Sequence, residues 1–216
     1  MSYKFEPKEY KELVLYNHLL THGDFFELNC LFDPKTTYQE IKKFDHLWRP
    51  YNLNKTDYKR YGMSLFSLDG GTSGEIDLNS VLDYNKRNGT SYEETSFRTP
   101  TEAWHGIPAI SSPLRNLEPF LCRSHLIRFG EGGFFPPHRD LGQAFRLIAF
   151  IDNSDESVYM TMDKRVLPIN CGRLYFMNIR KEHAIVSFVE GSTILVLNVE
   201  ISEGSVNWVL ENLLAH

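Results

Sequence analysis

A histidine and an aspartate stand two residues apart at His138 and Asp140, and a third potential metal ligand, His183, follows 45 residues after the first. Residues i and i+2 of an extended chain point to the same side, so this imidazole and this carboxylate can reach one ion. Two neutral imidazole nitrogens and one carboxylate are the donor set that holds Fe(II) while leaving positions open for a bidentate 2-oxoacid and molecular oxygen. The three residues are therefore candidate metal ligands and catalytic residues of one site.

The short spacing of this pair is weak evidence by itself, because His-x-Asp also arises by chance. His22 and Asp24 repeat the spacing where a predicted helix ends, and no later histidine stands in the same relation to them. His138 differs because it follows a predicted strand and a glycine-rich turn, and because His183 opens the predicted strand HAIVSF. Spacing alone leaves open the alternative of a surface His–Asp pair and an ordinary half-buried His183.

The elements that must position these residues are short β-type runs, which begin at about residue 121. Turns separate them at intervals of about 8–15 residues, with no helical pattern between them, as is typical of a β-sandwich or barrel. We expect a mainly β protein with flanking helices. The runs are LCRSHLIRF, FRLIAFI, SVYMTM, GRLYFMN, HAIVSF and STILVLNV.

The chain before residue 121 has a different pattern, with helical periodicity and polar loops. It predicts helices over residues 8–22, 37–44 and 77–87, a strand over 61–68, and a loop over 89–119 that can cover a site. We expect a single oxygenase-like domain over residues 1–216. Its parts are a helical and loop-rich N-terminal part at 1–120, the core with the metal site at 121–200, and a C-terminal helix at 205–214.

The charge balance and the cysteine count argue against several classes of partner. Lys and Arg number 23 against 28 Asp and Glu, a net charge of −5, whereas nucleic acid or an anionic membrane would need a basic patch. The widely spaced Cys30, Cys122 and Cys171 form neither a zinc motif nor a disulfide framework. No apolar run approaches the roughly 20 residues of a spanning helix. We expect a cytoplasmic protein without nucleic-acid or membrane partners.

The stretches RFGEGGFFPPHRD, FRLIAFIDN and GRLYFMNIRKEHAIVSF together resemble the iron(II)- and 2-oxoglutarate-dependent oxygenases. The similarity is greatest to the aspartyl/asparaginyl β-hydroxylase-like branch, which includes free-proline hydroxylases. It covers residues 121–199, with fainter traces at WRPYN and RYGMSLFSLDG. The resemblance implies a double-stranded β-helix core, a cupin-like jelly-roll, in agreement with the predicted strands. It also implies that His138, Asp140 and His183 are the iron ligands.

One feature of that family has no counterpart in this sequence. The family places an arginine about ten residues after the distal histidine, where it binds the far carboxylate of 2-oxoglutarate as a bidentate partner. The corresponding position is near Thr193, and residues 184–216 contain no Lys or Arg. Either an earlier residue supplies the cation, or the cosubstrate is not 2-oxoglutarate.

Three residues are candidates for binding the cosubstrate. Arg146 stands in the otherwise apolar run FRLIAFI, where a charge is costly unless paired, and its alternative partner is a nearby acid such as Asp152. Arg128 ends the strand before the glycine turn and is the second candidate. Ser187 shares strand parity with His183, and its hydroxyl can donate to a bound carboxylate.

The resemblance implies a dioxygenase that uses Fe(II), 2-oxoglutarate and molecular oxygen to hydroxylate a C–H bond. The expected substrate is a small amino-acid-like molecule or a peptide side chain. Two alternatives stay open, because jelly-rolls host unrelated functions. One is a cupin-like metal- or ligand-binding module without oxygenase activity, and the other is an iron oxygenase with a different cosubstrate.

Overall fold

The strands of this protein form two main antiparallel sheets and one short strand pair. The computed structural model describes residues 7–140, 144–152 and 157–214. Its strands, in chain order, are β1 (Phe25–Leu31), β2 (Arg49–Pro50), β3 (Arg60–Ser64), β4 (Phe66–Ser67), β5 (Thr99–Pro100), β6 (His125–Phe129), β7 (Phe134–His138), β8 (Ala144–Phe150), β9 (Val158–Met162), β10 (Arg165–Val166), β11 (Arg173–Met177), β12 (His183–Ser187) and β13 (Thr193–Glu200).

The order of the strands is that of a jelly-roll. The large sheet has the order β1-β11-β8-β13-β6-β3-β2, the small sheet has the order β10-β9-β12-β7, and β4 pairs with β5. From β6 to β13 the chain alternates between the two sheets, with β6, β8, β11 and β13 in the large one and β7, β9, β10 and β12 in the small one. This alternation confirms the predicted mainly β fold with a double-stranded β-helix core.

Alternation along each strand of the large sheet separates two hydrophobic clusters. In β8, Phe145 and Leu147 pack with the helices on the outer face, whereas Ile148 and Phe150 pack against the small sheet on the inner face. Successive side chains of a strand point to opposite faces, so Arg146 shares the inner face with Ile148. The sheet therefore directs this arginine into the interior of the jelly-roll.

Helices cover the outer face of the large sheet. Tyr16 and Leu19 of the first helix join Trp208 and Val209 of the last helix in the outer cluster. The segment 89–119, predicted as a loop, contains two short helices. The helices are α1 (Pro7–Leu20), α2 (Pro34–Lys42), α3 (Val81–Asn88), α4 (Glu102–Gly106), α5 (Pro108–Ser111) and α6 (Glu203–Glu211). Among the described residues, no helix has the length and apolar character needed to cross a bilayer.

Strand β7 carries two prolines and was not among the predicted strands. It pairs only with β12, because it lies at the edge of the small sheet. Proline lacks the N–H that a central strand needs on both sides, so it is tolerated at such an edge. This edge strand brings His138 to the end of the sheet, where the candidate site lies.

Candidate metal centre

The pairing of β7 with β12 brings the two histidines together. His138 is the last residue of β7, His183 is the first residue of β12, and the two stand directly opposite each other in the antiparallel register. The backbone N–H of Asp140 donates to the carbonyl of Ile179 at 2.9 Å, which holds the segment after β7 beside the start of β12. Three residues that are distant in sequence thus meet at one end of the small sheet.

The side chains of the three residues converge on one point. Nε2 of His138 lies 3.8 Å from Oδ1 of Asp140, and Nε2 of His183 lies 3.8 Å from Oδ2 of the same carboxylate. One ligand atom from each residue lies within 4.8 Å of the others, so the group could hold a metal ion. His183 is buried, while His138 and Asp140 are half-buried at the rim.

Backbone carbonyls fix the orientation of both imidazole rings. Nδ1 of His138 lies 2.7 Å from the carbonyl oxygen of Pro136, and Nδ1 of His183 lies 3.0 Å from that of Lys181. A carbonyl oxygen can only accept, so each Nδ1 carries the proton and donates. In the neutral imidazole each Nε2 is then the nitrogen that can bind a metal, which is the arrangement seen around metal-bound histidines in general.

The charges at the site also suit a metal. Burial lowers the pKa of His183 to about 4, so this imidazole is neutral at neutral pH. Burial opposes ionisation of Asp140, but the Arg146 guanidinium and the two histidines outweigh it and hold the pKa of this carboxyl below its usual value. The centre therefore presents two imidazole nitrogens and one carboxylate, the donor set of a non-haem Fe(II) site.

Arg146 lies beside the three ligands and pairs with one of them. Its Nη1 donates to Oδ2 of Asp140 at 2.5 Å, and its Nε donates to Oδ1 of Asn198 at 3.2 Å. Asn198 stands opposite Arg146 in the pairing of β13 with β8. The carboxylate partner of Arg146 is thus Asp140 itself. This contact puts the guanidinium at the metal end of the site, whereas the far carboxylate of a chelated 2-oxoglutarate must lie away from the metal.

The other two predicted cosubstrate residues lie apart from the triad. Ser187 is buried at the opposite end of β12 from His183, and its hydroxyl donates to the Val189 carbonyl at 2.8 Å. Arg128 projects from the outer face of β6, where its Nη2 lies 3.0 Å from Oδ1 of Asp45. The structure therefore does not bring either residue to the site, because one hydroxyl is already donated and the other side chain faces outward.

A cleft that opens to solvent is lined by two of the three ligands, His138 and His183. Part of its lining is aliphatic, with Ile127, Ile148, Ile185 and Ile194 from four different strands. Polar groups also line the cleft, and among them Asn198 accepts from Arg146. The cleft thus combines aliphatic and polar walls.

Four polar residues of the cleft lining were not predicted as metal ligands or cosubstrate-binding residues: Tyr51, Arg123, His125 and Asn198. The guanidinium of Arg123 is already bound to loop residues, since its Nε donates to the Asp77 carbonyl and its Nη1 pairs with Glu94. Burial, followed by the nearby Arg123 and Arg146 charges, lowers the pKa of His125 well below its usual value, so this ring is neutral. The only sequence signal for these residues was a polar residue within an apolar strand, as at Asn198.

Comparison with solved structures shows that this chain shares its fold with a known protein. No family model matches the chain, and no curated protein matches its sequence. A prolyl hydroxylase from Trichoplax adhaerens, solved in complex with a hypoxia inducible factor oxygen degradation domain peptide fragment, is similar with a TM-score of 0.54 and 10% identity, over 94% of this chain and 96% of that one.

Two further solved structures are similar over different shares of the chain. A prolyl-4-hydroxylase from Pseudomonas putida has a TM-score of 0.47 and 12% identity, over 88% of this chain and 98% of that one. An RmlC-like cupin from Desulfovibrio desulfuricans has a TM-score of 0.30 and 14% identity, over 37% of this chain and 72% of that one. This chain therefore has the jelly-roll fold of the Trichoplax adhaerens prolyl hydroxylase, with a His–Asp–His group at its mouth.

Proposed function

We propose that this protein is a non-haem Fe(II)- and 2-oxoglutarate-dependent dioxygenase that hydroxylates a C–H bond. The observation that carries the proposal is the convergence of His138, Asp140 and His183 beside a cleft, with both Nδ1 atoms bound to backbone carbonyls. The fold shared with a prolyl hydroxylase supports it. The relationship to the aspartyl/asparaginyl β-hydroxylase-like branch is proposed from the sequence stretches alone.

The residues present fit the metal and have separate tasks in the reaction. Iron(II) with 2-oxoglutarate and oxygen supplies the hydroxylation chemistry, in which the 2-oxoacid is decarboxylated to succinate. The carbonyls of Pro136 and Lys181 orient the two imidazoles toward the metal position. Arg146 holds the Asp140 carboxylate in place and keeps it ionised.

The proposed substrate is a small amino-acid-like molecule or a peptide side chain. The cleft is lined by both polar and aliphatic side chains, which suits a ligand with a polar and an apolar part. The peptide option is supported by the Trichoplax adhaerens enzyme, which was solved with a peptide. The free amino acid is supported by the resemblance of the sequence to free-proline hydroxylases.

Release of succinate tests the proposed reaction. Protein loaded with Fe(II) is incubated with 2-oxoglutarate, oxygen and a panel of amino acids and short peptides. We expect oxygen-dependent succinate release from the unmodified protein and a fall to background in His183→Ala. The matched control is His22→Ala, which removes a histidine from the other His-x-Asp sequence and should leave the rate unchanged. Full activity in His183→Ala would show that the ligand assignment is wrong.

A second candidate, a cupin-like metal-binding module, is favoured by one observation: residues 184–216 carry no Lys or Arg to bind a distal carboxylate. Such a module would bind a divalent metal but show no affinity for any 2-oxoacid. Calorimetric titration of 2-oxoglutarate into Zn(II)-loaded protein separates the two candidates, because only the dioxygenase binds the acid.

A further inference from the structure

Arg60 is a buried cation without an acidic partner in the described part of the chain. It is the first residue of β3 and stands opposite Phe129 of β6, so its side chain lies on the inner face of the large sheet. The residue is 5% exposed, and its Nε has no hydrogen-bond partner among the described residues. A buried charge is strongly destabilising unless it is paired. No carboxylate of the described residues pairs with Arg60, so its guanidinium can accept an anion.

Three aromatic rings surround the guanidinium of Arg60. Its Cζ lies 3.9 Å from the ring centroid of Phe135, 4.9 Å from that of Tyr58 and 5.3 Å from that of Tyr51. The faces of these rings attract a cation but do not replace a counter-ion. Burial accordingly lowers the pKa of the Arg60 guanidinium from its usual value.

The guanidinium lies one aromatic ring away from a candidate metal ligand. Phe135 and Tyr51 both line the cleft, and the ring centroid of Phe135 is 6.0 Å from that of His138. The two carboxyl carbons of an extended 2-oxoglutarate are about 5 Å apart, from four carbon–carbon bonds of about 1.5 Å each. An acid chelated at the triad can therefore extend toward Arg60 once the Phe135 ring turns aside.

The two arginines that line the cleft, Arg123 and Arg146, are already engaged. Nη1 of Arg123 pairs with Glu94 at 3.0 Å, and its remaining donors bind backbone carbonyls of the segment 76–79. Arg146 pairs with Asp140, at the metal end of the cleft. Of the three arginines, Arg60 alone has a buried side-chain donor, its Nε, without a hydrogen-bond partner among the described residues.

We propose that Arg60 binds the distal carboxylate of a dicarboxylic 2-oxoacid whose other end is chelated at the triad. This inference rests on the proposed function and names the residue that makes the site select a diacid over a monoacid. Arg60 lies on β3, which comes before the eight jelly-roll strands, β6–β13, in the chain. The Nε–H and the Nη groups present the fork that matches a carboxylate.

Calorimetric titration of two acids into Zn(II)-loaded protein tests the assignment. The probes are 2-oxoglutarate and 2-oxobutyrate, which share the chelating end but differ in the distal carboxylate. In Arg60→Met we expect 2-oxoglutarate to bind at least about 30-fold more weakly, and 2-oxobutyrate to bind within about threefold of the unmodified protein. Arg128→Met is the matched control, since it removes a β6 arginine that faces outward to Asp45, and it should change neither affinity.

Each outcome of the titrations supports or overturns a defined claim. Unchanged 2-oxoglutarate affinity in Arg60→Met, with normal binding by the unmodified protein, would overturn the role of Arg60 and leave the proposed function intact. Binding of neither acid to the unmodified Zn(II)-loaded protein would overturn both. If Arg60→Met does not fold, Arg60→Lys replaces it. That variant keeps the charge without the fork, and we expect it to lose about tenfold in 2-oxoglutarate affinity, whereas no loss would count against the assignment.

Discussion

At the scale of single residues, the site depends on contacts that hold side chains in a charge state suited to a metal. His183 is neutral because it is buried, and Asp140 is ionised because Arg146 pairs with it. Neither effect requires a catalytic role for Arg146 at the reacting atoms. The arginine instead positions a ligand, which is a common task for residues that contact metal ligands.

Replacing Arg146 with methionine tests this positioning role. Loss of the pair with Asp140 should weaken divalent metal binding about 10- to 100-fold, because the ligand loses its orientation and part of its ionisation. The measurement is a Mn(II) titration followed by calorimetry. Arg128→Met serves as the control, because its guanidinium binds Asp45 on the outer face. Unchanged Mn(II) affinity in Arg146→Met would contradict the role.

At Asp77, in contrast to Asp140, burial outweighs the nearby positive charge in setting the pKa of the carboxyl. Burial raises the pKa of this carboxyl to about 6, although Arg123 opposes the shift, and its Oδ1 has no partner among the described residues. The folded protein thus binds a proton that the unfolded chain, with an aspartate pKa near 3.9, has released. The group stabilises the fold below about pH 4, and this contribution is lost as the pH rises through about 6.

Asp77→Asn should therefore stabilise the protein at pH 7 by about 1–2 kcal/mol, because a neutral side chain has no ionisation cost. At pH 4 the variant and the unmodified protein should have nearly the same free energy of unfolding. Urea denaturation at both pH values measures the difference. A variant that is equally stabilised at pH 4 and pH 7 would disprove the ionisation argument.

At the scale of elements, backbone conformation fixes where the strands begin. Gly172 precedes β11 with a φ of +77°, and a Cβ added there would lie 2.5 Å from the carbonyl oxygen of Phe32. Gly191 precedes β13 with a φ of +92°, and a Cβ there meets nothing within 4 Å. Both positions disfavour a side chain through φ, but only Gly172 also has a steric obstacle.

Alanine at each of the two positions separates these effects. Gly191→Ala should cost about 1–2 kcal/mol, the usual penalty of a left-handed conformation. Gly172→Ala should cost about 1–3 kcal/mol more, because the methyl group must displace the Phe32 backbone. Chemical denaturation of the two variants gives the comparison. Equal losses of stability in Gly172→Ala and Gly191→Ala would show that the Phe32 backbone moves aside without a cost in free energy.

The elements also show how far the sequence could be interpreted. The β-type runs after residue 121 are strands in the structure, because alternation of apolar residues is a local signal. Strand β7 was missed because its prolines disfavour a strand except at an edge, and an edge is visible only once the sheet is assembled. The chain before residue 121 was interpreted as helical and loop-rich apart from a strand at 61–68, which corresponds to β3, yet it also adds β1 and β2 to the large sheet.

At the scale of the whole molecule, residues from both halves of the chain meet at one cleft. His138, Asp140 and His183 could be proposed from their spacing and from a family resemblance. The neighbourhood of Arg60 could not, because its contact with Phe135 joins β3 to β7 across the two sheets. The missing downstream arginine was visible in the sequence, but a replacement on another strand depends on the tertiary structure.

The central claim is that the three ligands hold Fe(II) together with a chelating 2-oxoacid. Anaerobic absorption spectroscopy tests it most directly, because a 2-oxoacid chelated to Fe(II) gives a visible charge-transfer band. We expect the band when Fe(II) and 2-oxoglutarate are both added to the unmodified protein, and no band when either is omitted or when His183 is replaced by alanine. The absence of the band from the unmodified protein at saturating Fe(II) and 2-oxoglutarate would contradict the claim.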